Sequence, residues 1–176
     1  CDEFAVNSHI KAAAAIDSKK FDNEIVPITV DEVFVNEGKK ETKTHVVKQD
    51  EGVRRDTSLE GLARLRPAFR QKGVVTAGNA SQTSDGSAFT LIVSEKMVKE
   101  LNLEPIARLV SCAVGGVDPL YMGIGPCIAI PKALNQAGLN IKDIQQTELN
   151  EAFATQALAV IKAVSYTHLR AHETPS

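Results

Sequence analysis

Hydrophobic positions recur at two different spacings along the chain, and the change of spacing separates helices from strands. Near the start, apolar side chains follow helical spacing and predict a helix over residues 2–19. The run "EIVPITV" then predicts a strand over residues 24–30, and the charged stretch after it predicts a hairpin that reaches about Lys48. The first part of the chain therefore combines one amphipathic helix with a hairpin.

The rest of the chain alternates helix-like and strand-like stretches. Helices are predicted for "LEGLARL", "EKMVKELN", "CIAIPKALNQAG" and "AFATQALAVIKAV". Strands are predicted for the short apolar runs "GVVTA", "SAFTLIVS", "IARLVSCAV" and "IQQTELN". Strands that alternate with helices predict an α/β fold with a layered sheet.

Composition narrows the classes of protein to consider. The 176 residues are 43% hydrophobic and 24% charged, with a formal net charge of -2, as expected for a globular chain without a nucleic-acid partner. No apolar run approaches the roughly 20 residues of a membrane span, and the first residues lack a signal-peptide pattern. Three cysteines without paired spacing indicate reduced thiols, with neither a disulfide framework nor a metal site. A cytoplasmic protein is therefore expected.

Both ends of the sequence differ from those of a natural domain. The chain starts inside a helical pattern without a methionine, so we expect its start to be internal to a longer protein. Residues 165–176, "SYTHLRAHETPS", lack an apolar period and resemble a translated cloning adapter. In that tail His168 and His172 have the spacing of metal ligands on a helix, but a metal site needs further ligands. The tail is excluded from the predicted fold.

Three polar loops follow predicted strands, where ligands of α/β proteins bind. They are "GNASQTSDGS" from Gly78, "GGVDPLYMGIGP" from Gly115 and "NEAF" from Asn150. The first loop offers many hydrogen-bonding groups but no pair of nucleophile and base. Its composition fits a binding loop and fits equally well an ordered turn held by Asx and Ser hydrogen bonds.

Three other features each allow a structural and a functional interpretation. Met122 suits the wall of an acyl pocket, although packing in a core is the commoner role of methionine. Asn150 suits the N-cap of the closing helix, or the polarisation of a group that develops negative charge. The basic stretch over residues 36–56 is interpreted as a solvated hairpin, with the rim of a phosphate site as the alternative.

Four segments in order carry a resemblance to a known family. "LARLRPAF", "TAGNASQTSDGSAF", "YMGIGP" and "LNEAFATQALAV" have the order and separations seen in thiolases, the acyl-CoA C-acyltransferases. The resemblance extends over residues 2–163 and implies a thiolase-like α/β fold. By this resemblance, residues 1–81 would form part of the loop domain and residues 82–164 the first half of the C-terminal domain. Residues 165–176 would be the non-native tail.

The resemblance also implies roles for individual residues. Asn150 matches the asparagine that holds a water in the oxyanion hole, and Ser81, next to Ala80, matches the residue that binds the pantetheine chain of CoA. The remaining implied contacts are to the adenine and phosphate end of CoA (Arg54, Leu65 and Phe69) and to the acyl pocket (Met122 and Phe153). Coenzyme A and acyl-CoA are thus the implied partners, as substrates, and no other cofactor is implied.

The implied reaction is cleavage of a 3-ketoacyl-CoA by CoA to acetyl-CoA and a shortened acyl-CoA, or condensation of two acetyl-CoA in reverse. The segment "QTSDGSAF" resembles the degradative branch that serves fatty-acid β-oxidation, while chain-length preference stays open. The parent protein would be a homodimer or a homotetramer.

The family's nucleophilic cysteine lies upstream of the matched region, and its His-Pro and Cys-x-Gly-Gly-Gly segments lie downstream. Cys1, Cys112 and Cys127 do not match the catalytic cysteines, and His9 and His45 do not match the base. We therefore expect the 176 residues alone to be inactive and, with half a layered domain, to aggregate. The alternative is a stand-alone module that binds CoA without catalysis.

Overall fold

We describe the chain from a computed structural model, which places the backbone of residues 1–170 and the side chains through Val164. The chain divides into two compact units, Cys1–Asn79 and Ala80–Ser176. The two histidines of the tail, His168 and His172, lie outside the described side chains.

The first unit begins with helix α1, Asp2–Asp17, as the helical spacing predicts. Two acidic residues in its first turn, Asp2 and Glu3, favour this start because the N-terminus of a helix carries partial positive charge. A second, short helix, α2, spans Leu59–Leu62 and is capped by the Ser58 hydroxyl, which accepts a hydrogen bond from the Gly61 N–H at 3.0 Å.

Between these helices lies an antiparallel hairpin of strands β1, Ile28–Asn36, and β2, Lys39–Val47. Its central turn residues, Glu37 and Gly38, have φ of 49° and 79°, as a type I′ turn requires. All residues of both strands are exposed except His45, which is half-buried. The solvated-hairpin interpretation is confirmed for the part of the basic stretch that lies in the hairpin, residues 36–47, whereas residues 48–56 follow it outside any strand. The predicted strand start at residue 24 is wrong, because the strand begins only after Pro27, which has no N–H to donate.

The regular structure of the second unit is helical in the part that is described. Its helices are α3 at Glu95–Glu100, α4 at Pro126–Ala137 and α5 at Ala154–Arg170, with short 3-10 helices at Pro119–Ile124 and Ile141–Asp143. Helix α4 ends at Gly138, whose φ of 67° suits a glycine at a helix C-terminus. One face of α5 is buried and, with Leu134 of α4, forms the apolar core; its residues are Ala154, Ala157, Val160 and Val164.

The four short apolar runs predicted as strands do not form a sheet among the described residues, where the sheet consists of β1 and β2. A strand needs a neighbour for its backbone hydrogen bonds, and an apolar run does not encode which segment supplies it. In the run over residues 106–114, the Ser111 hydroxyl instead donates to the carbonyl of Ala133 in α4 at 2.9 Å. The side chains of Phe89 and Ile106 are almost fully and fully exposed, respectively.

No helix in the described part of the chain is long and apolar enough to cross a membrane. Within the same part, no group of three or more histidine, cysteine, aspartate or glutamate side chains lies close enough to hold a metal ion. Cys1, Cys112 and Cys127 are free thiols, the first two exposed and the third half-buried.

Candidate functional site

Two of the polar loops meet in the second unit through their backbones. The N–H of Ser81 donates to the carbonyl of Ala152 at 2.9 Å. Next to this bond, Ala80 and Phe153 form an isolated antiparallel bridge. The structure thus joins the "GNAS" and "NEAF" segments, which are far apart in sequence, into one short β-like pair. Ser81 is exposed, so its hydroxyl remains accessible to a ligand beside the start of α5.

Asn150 lies four residues before the first residue of α5, Ala154, and Phe153 directly precedes the helix. The N-cap interpretation of Asn150 is therefore wrong, because a cap residue immediately precedes the first helical residue. Asn150 is exposed, and its side chain makes no hydrogen bond to any residue that the structure describes. Its amide group can therefore donate to a water or a substrate oxygen.

Met122 lies on the 3-10 helix Pro119–Ile124 and is 79% exposed. The core-packing interpretation of Met122 is therefore wrong, and the side chain is placed where a ligand can contact it. Local hydrogen bonds order this turn: the Asp118 carboxylate accepts from the Leu120 N–H at 2.9 Å, and the Gly125 N–H donates to the Met122 carbonyl at 3.1 Å.

A glutamine that the sequence analysis missed links this turn to α5. The side-chain nitrogen of Gln156, in the first turn of α5, donates to the Gly123 carbonyl at 3.2 Å. The Met122 loop therefore contacts the first turn of α5, the "NEAF" loop runs directly into the helix, and the "GNAS" loop pairs with the residues just before it. The sequence offers one signal for this role, a glutamine six residues after Asn150. An amphipathic helix pattern does not show whether such a glutamine bonds to a neighbouring segment or is exposed to solvent.

The beginning of the "GNAS" loop has a structural role in the first unit. Asn79 is 3% exposed, and its side-chain oxygen accepts from the Thr76 N–H at 2.9 Å. Its side-chain nitrogen donates to the Val74 carbonyl and to the Asp2 carboxylate, both at 2.8 Å. The ordered-turn interpretation is confirmed for Asn79, whereas the accessible part of the loop begins at Ala80.

Arg54 and Arg55 have different environments although they are adjacent. Both terminal nitrogens of Arg55 donate to Asp17, each at 2.9 Å, and this hydrogen bonding lowers the pKa of the Asp17 carboxyl and raises that of Arg55. The backbone N–H of Arg54 donates to Nδ1 of His9 at 3.2 Å. Among the described residues none forms an ion pair with the Arg54 guanidinium. These four residues line a cavity of about 290 Å³, and the unpaired cation there is Arg54.

Leu65 and Phe69, the other predicted contacts to the adenine end, also lie in the first unit and are exposed, Phe69 to 77%. Leu65 lines a cavity of about 340 Å³ together with Leu62 and Val74. A Cβ on Gly78 would lie 2.7 Å from Cδ1 of Leu65 and 2.8 Å from Cγ of Leu62. Glycine is thus required at Gly78 because the loop passes directly over these leucines.

Comparison with known families agrees with these observations. The family model of the thiolase N-terminal domain matches residues 1–96, and that of the thiolase C-terminal domain matches residues 103–171. The chain belongs to the thiolase family. It is 51% identical over 162 residues to a 3-ketoacyl-CoA thiolase of Bacillus subtilis, covering 92% of this chain and 41% of that protein. A probable acetyl-CoA acyltransferase of Staphylococcus aureus is 49% identical over 159 residues, covering 90% and 39%.

Solved thiolase structures have the same fold over nearly the whole chain. The acetyl-CoA acetyltransferase of Bacillus anthracis superposes with a TM-score of 0.82 at 48% identity, covering 93% of this chain and 40% of that one. The human mitochondrial 3-ketoacyl-CoA thiolase in complex with CoA superposes with a TM-score of 0.80 at 43% identity, covering 94% and 39%. The predicted fold class, a fragment of the α/β thiolase fold, is confirmed. The chain spans about two fifths of the length of these relatives.

Within this thiolase segment the predicted site residues fall into two sets. The second unit contains Ala80, Ser81, Met122, Asn150 and Phe153, and its hydrogen bonds bring their segments together at the start of α5. The first unit contains the second set, Arg54, Leu65 and Phe69. The first set combines an exposed hydroxyl and an exposed amide with apolar side chains, and the second combines a cation with exposed apolar side chains.

Proposed function

We propose that this chain is part of a thiolase that cleaves 3-ketoacyl-CoA with CoA in the degradation of fatty acids. The observation that carries the proposal is the backbone pairing of Ser81 with Ala152 in a chain of the thiolase family. That pairing holds an exposed hydroxyl and the exposed Asn150 amide on neighbouring segments. In this proposal the 176 residues supply binding and charge stabilisation, while the attacking thiolate belongs to another part of the whole enzyme.

In the proposed reaction a thiolate of the whole enzyme attacks the 3-keto carbon, and the bond between C2 and C3 breaks. Its electron pair passes into the thioester, which forms the enolate of acetyl-CoA and takes a proton, while the acyl group stays on the enzyme sulfur until the thiol of CoA removes it. The Asn150 amide holds a water that donates to the thioester oxygen as negative charge develops. Removing one such donor typically lowers kcat about 10²–10³-fold.

The other site residues bind the substrate in this proposal. Ser81 donates to the pantetheine chain beside Ala80, and Met122 and Phe153 form the wall of the acyl pocket. Arg54, with no carboxylate partner among the described residues, binds a phosphate of CoA, and Leu65 and Phe69 supply apolar surface for its adenine.

A hybrid enzyme tests this proposal. Residues 2–163 of this chain replace the matching segment of the Bacillus subtilis relative, to which they are 51% identical. Purified hybrid is mixed with acetoacetyl-CoA and CoA, and loss of the enolate absorbance is followed. We expect turnover in the hybrid and none in the 176-residue chain alone. A folded hybrid that binds CoA but has no turnover, or turnover by the chain alone, would contradict the proposal.

Asn150→Ala in the hybrid tests the assigned charge stabilisation. The expected result is a loss of about 10²–10³ in kcat with little change in the KM for CoA. Asn135→Ala is the matched control, because Asn135 is exposed on α4 and lies outside the three loops. Equal activities of the two variants would refute the role of Asn150. Titration of CoA into the chain alone separates this proposal from a stand-alone binding module, for which tight binding without catalysis is expected.

A further inference from the structure

The turn that carries Met122 is attached to α5 by one side chain with unusual surroundings. The Gln156 nitrogen donates to the Gly123 carbonyl at 3.2 Å. The side-chain oxygen of Gln156 is buried and has no hydrogen-bond partner among the described residues. A buried acceptor without a partner lowers stability, so this glutamine is a poor choice if its role is only to stabilise the fold.

The backbone of the turn approaches Gln156 as closely as glycine permits. A Cβ at Gly123 would lie 2.9 Å from Cγ of Gln156 and 3.5 Å from its Cβ. The first contact is shorter than two carbon atoms allow, so any other residue at Gly123 would push the turn away from α5. The glycine and the glutamine therefore fix one separation between the Met122 turn and the helix.

That separation matters because α5 begins directly after the Asn150 segment. Gln156 lies six residues after Asn150, and the Ala157 N–H donates to the Phe153 carbonyl at 3.0 Å, which holds the first turn of the helix onto that segment. Met122 lies next to Gly123. A single hydrogen bond thus relates the position of Met122 to that of Asn150.

We propose that Gln156 is a positioning residue that sets the width of the acyl pocket, and so the acyl chain that the enzyme prefers. This inference rests on the proposed function, because it assigns Met122 to the wall of that pocket. Gln156 acts through the Gly123 carbonyl and does not contact the substrate. Loss of the bond releases the Met122 turn and relaxes the discrimination between short and long acyl chains.

Gln156→Met in the hybrid enzyme is the main test. Methionine is close to glutamine in length, so it removes both the bond to Gly123 and the unpaired buried oxygen with little change in volume. We expect the ratio of kcat/KM for acetoacetyl-CoA to that for 3-ketodecanoyl-CoA to change about tenfold, since small misplacements near a reacting centre have effects of this size or larger. The KM for CoA and the thermal midpoint are expected to stay unchanged. Gln136→Met, at an exposed position of α4, is the matched control.

Hydrogen exchange supplies a readout that does not need activity. Amides of the Pro119–Ile124 turn should exchange faster in Gln156→Met than in the parent hybrid, while those of the α4 interior should not change. Gly123→Ala should have the same two effects. In a Gln156→Ala background the added methyl meets no Cγ, so Gly123→Ala should then have a smaller effect.

Each result decides the inference. An unchanged substrate ratio with unchanged exchange would overturn it, as would unfolding of Gln156→Met, because the proposal requires retained stability. Faster exchange without any change in the ratio would leave Gln156 a structural tether and overturn its role in specificity. If the parent hybrid has no turnover, the proposed function fails, and the exchange and double-variant measurements still test the link between Gln156 and the Met122 turn.

Discussion

The side-chain nitrogen of Asn79 donates a hydrogen bond to the carboxylate of Asp2 at 2.8 Å, although the two residues are 77 positions apart in the chain. The same amide closes the local turn through Thr76 and Val74. One buried side chain therefore connects the start of α1 with the end of the first unit. In a unit whose sheet is an exposed hairpin, few other buried groups hold its ends together.

We expect Asn79→Ala to destabilise the first unit by about 3 kcal/mol, because the buried Thr76 N–H loses its side-chain partner and the bonds to the Val74 carbonyl and the Asp2 carboxylate are lost as well. Urea unfolding of the hybrid enzyme, monitored through hydrogen exchange of the α1 amides, measures the decrease in the free energy of unfolding. Asn102→Ala, at an exposed position, is the control. A change below about 0.5 kcal/mol would show that the network contributes little.

Replacement of the two adjacent arginines should have unequal effects on CoA binding. Arg54→Met removes a guanidinium that has no ion-pair partner among the described residues, so we expect the KM for CoA to rise about tenfold. Arg55→Met removes a cation already neutralised by Asp17, so a rise below about twofold is expected. Steady-state kinetics of both variants in the hybrid enzyme provide the comparison. A larger rise in the KM for CoA in Arg55→Met than in Arg54→Met would show that the assignment of the phosphate contact to Arg54 is wrong.

The Asp17 carboxyl should titrate below its ordinary pKa of 3.8, because the two hydrogen bonds from Arg55 favour its ionised form. Since the folded pKa is the lower one, the contribution of the pair to stability is complete above pH 3.8 and is lost as pH falls through the lowered value. Both side chains are exposed, so the contribution is small. Carbon NMR of Asp17 should give an ordinary pKa in Arg55→Met and a lowered one in Arg54→Met. Identical titrations would contradict the pairing.

The 176-residue chain alone should associate as its concentration rises, because Phe89 is 96% exposed and Ile106 is fully exposed, on segments that pair with no strand among the described residues. Light scattering over a concentration series measures this association. Combined Phe89→Lys and Ile106→Lys should reduce it more than combined Gln82→Lys and Gln145→Lys, which add the same charge at polar exposed positions. A concentration-independent thermal transition in the unsubstituted chain would contradict the expectation.

The helices could be predicted because their signals are local. Ser58 and Ser94 cap α2 and α3 with their hydroxyls, and Gly138 ends α4, so each boundary is determined by residues next to it. Strand pairing is not local. The β1 and β2 hairpin was predictable because its partners are joined by a two-residue turn, whereas the run over residues 106–114 carries no information about its neighbour.

The candidate site could be predicted in part for the same reason. Motifs identified Ser81 and Asn150, and the structure adds the backbone bond that brings their segments together. The pattern did not reveal that α5 begins only after Phe153, which excludes Asn150 as a cap, nor that Gln156 reaches Gly123. The start of α5 and the bond from Gln156 to Gly123 both depend on contacts between segments that are not adjacent in the chain. A single sequence does not define which such segments meet.

The pairing of Ser81 with Ala152 has a consequence for the order in which the chain assembles. The hairpin joins near neighbours and can form within about 1–10 μs, but this pairing closes a loop of about 70 residues, and each doubling of loop length adds about 0.6 kcal/mol of closure entropy. At about 5–20 residues per second, the ribosome needs several seconds to synthesise the intervening segment. Pulse labelling of nascent chains stalled before and after Ala152 would separate the two events. A chain whose synthesis stops between Ser81 and Ala152 would contain the complete β1–β2 hairpin, but its Ser81 N–H would lack the Ala152 carbonyl as acceptor.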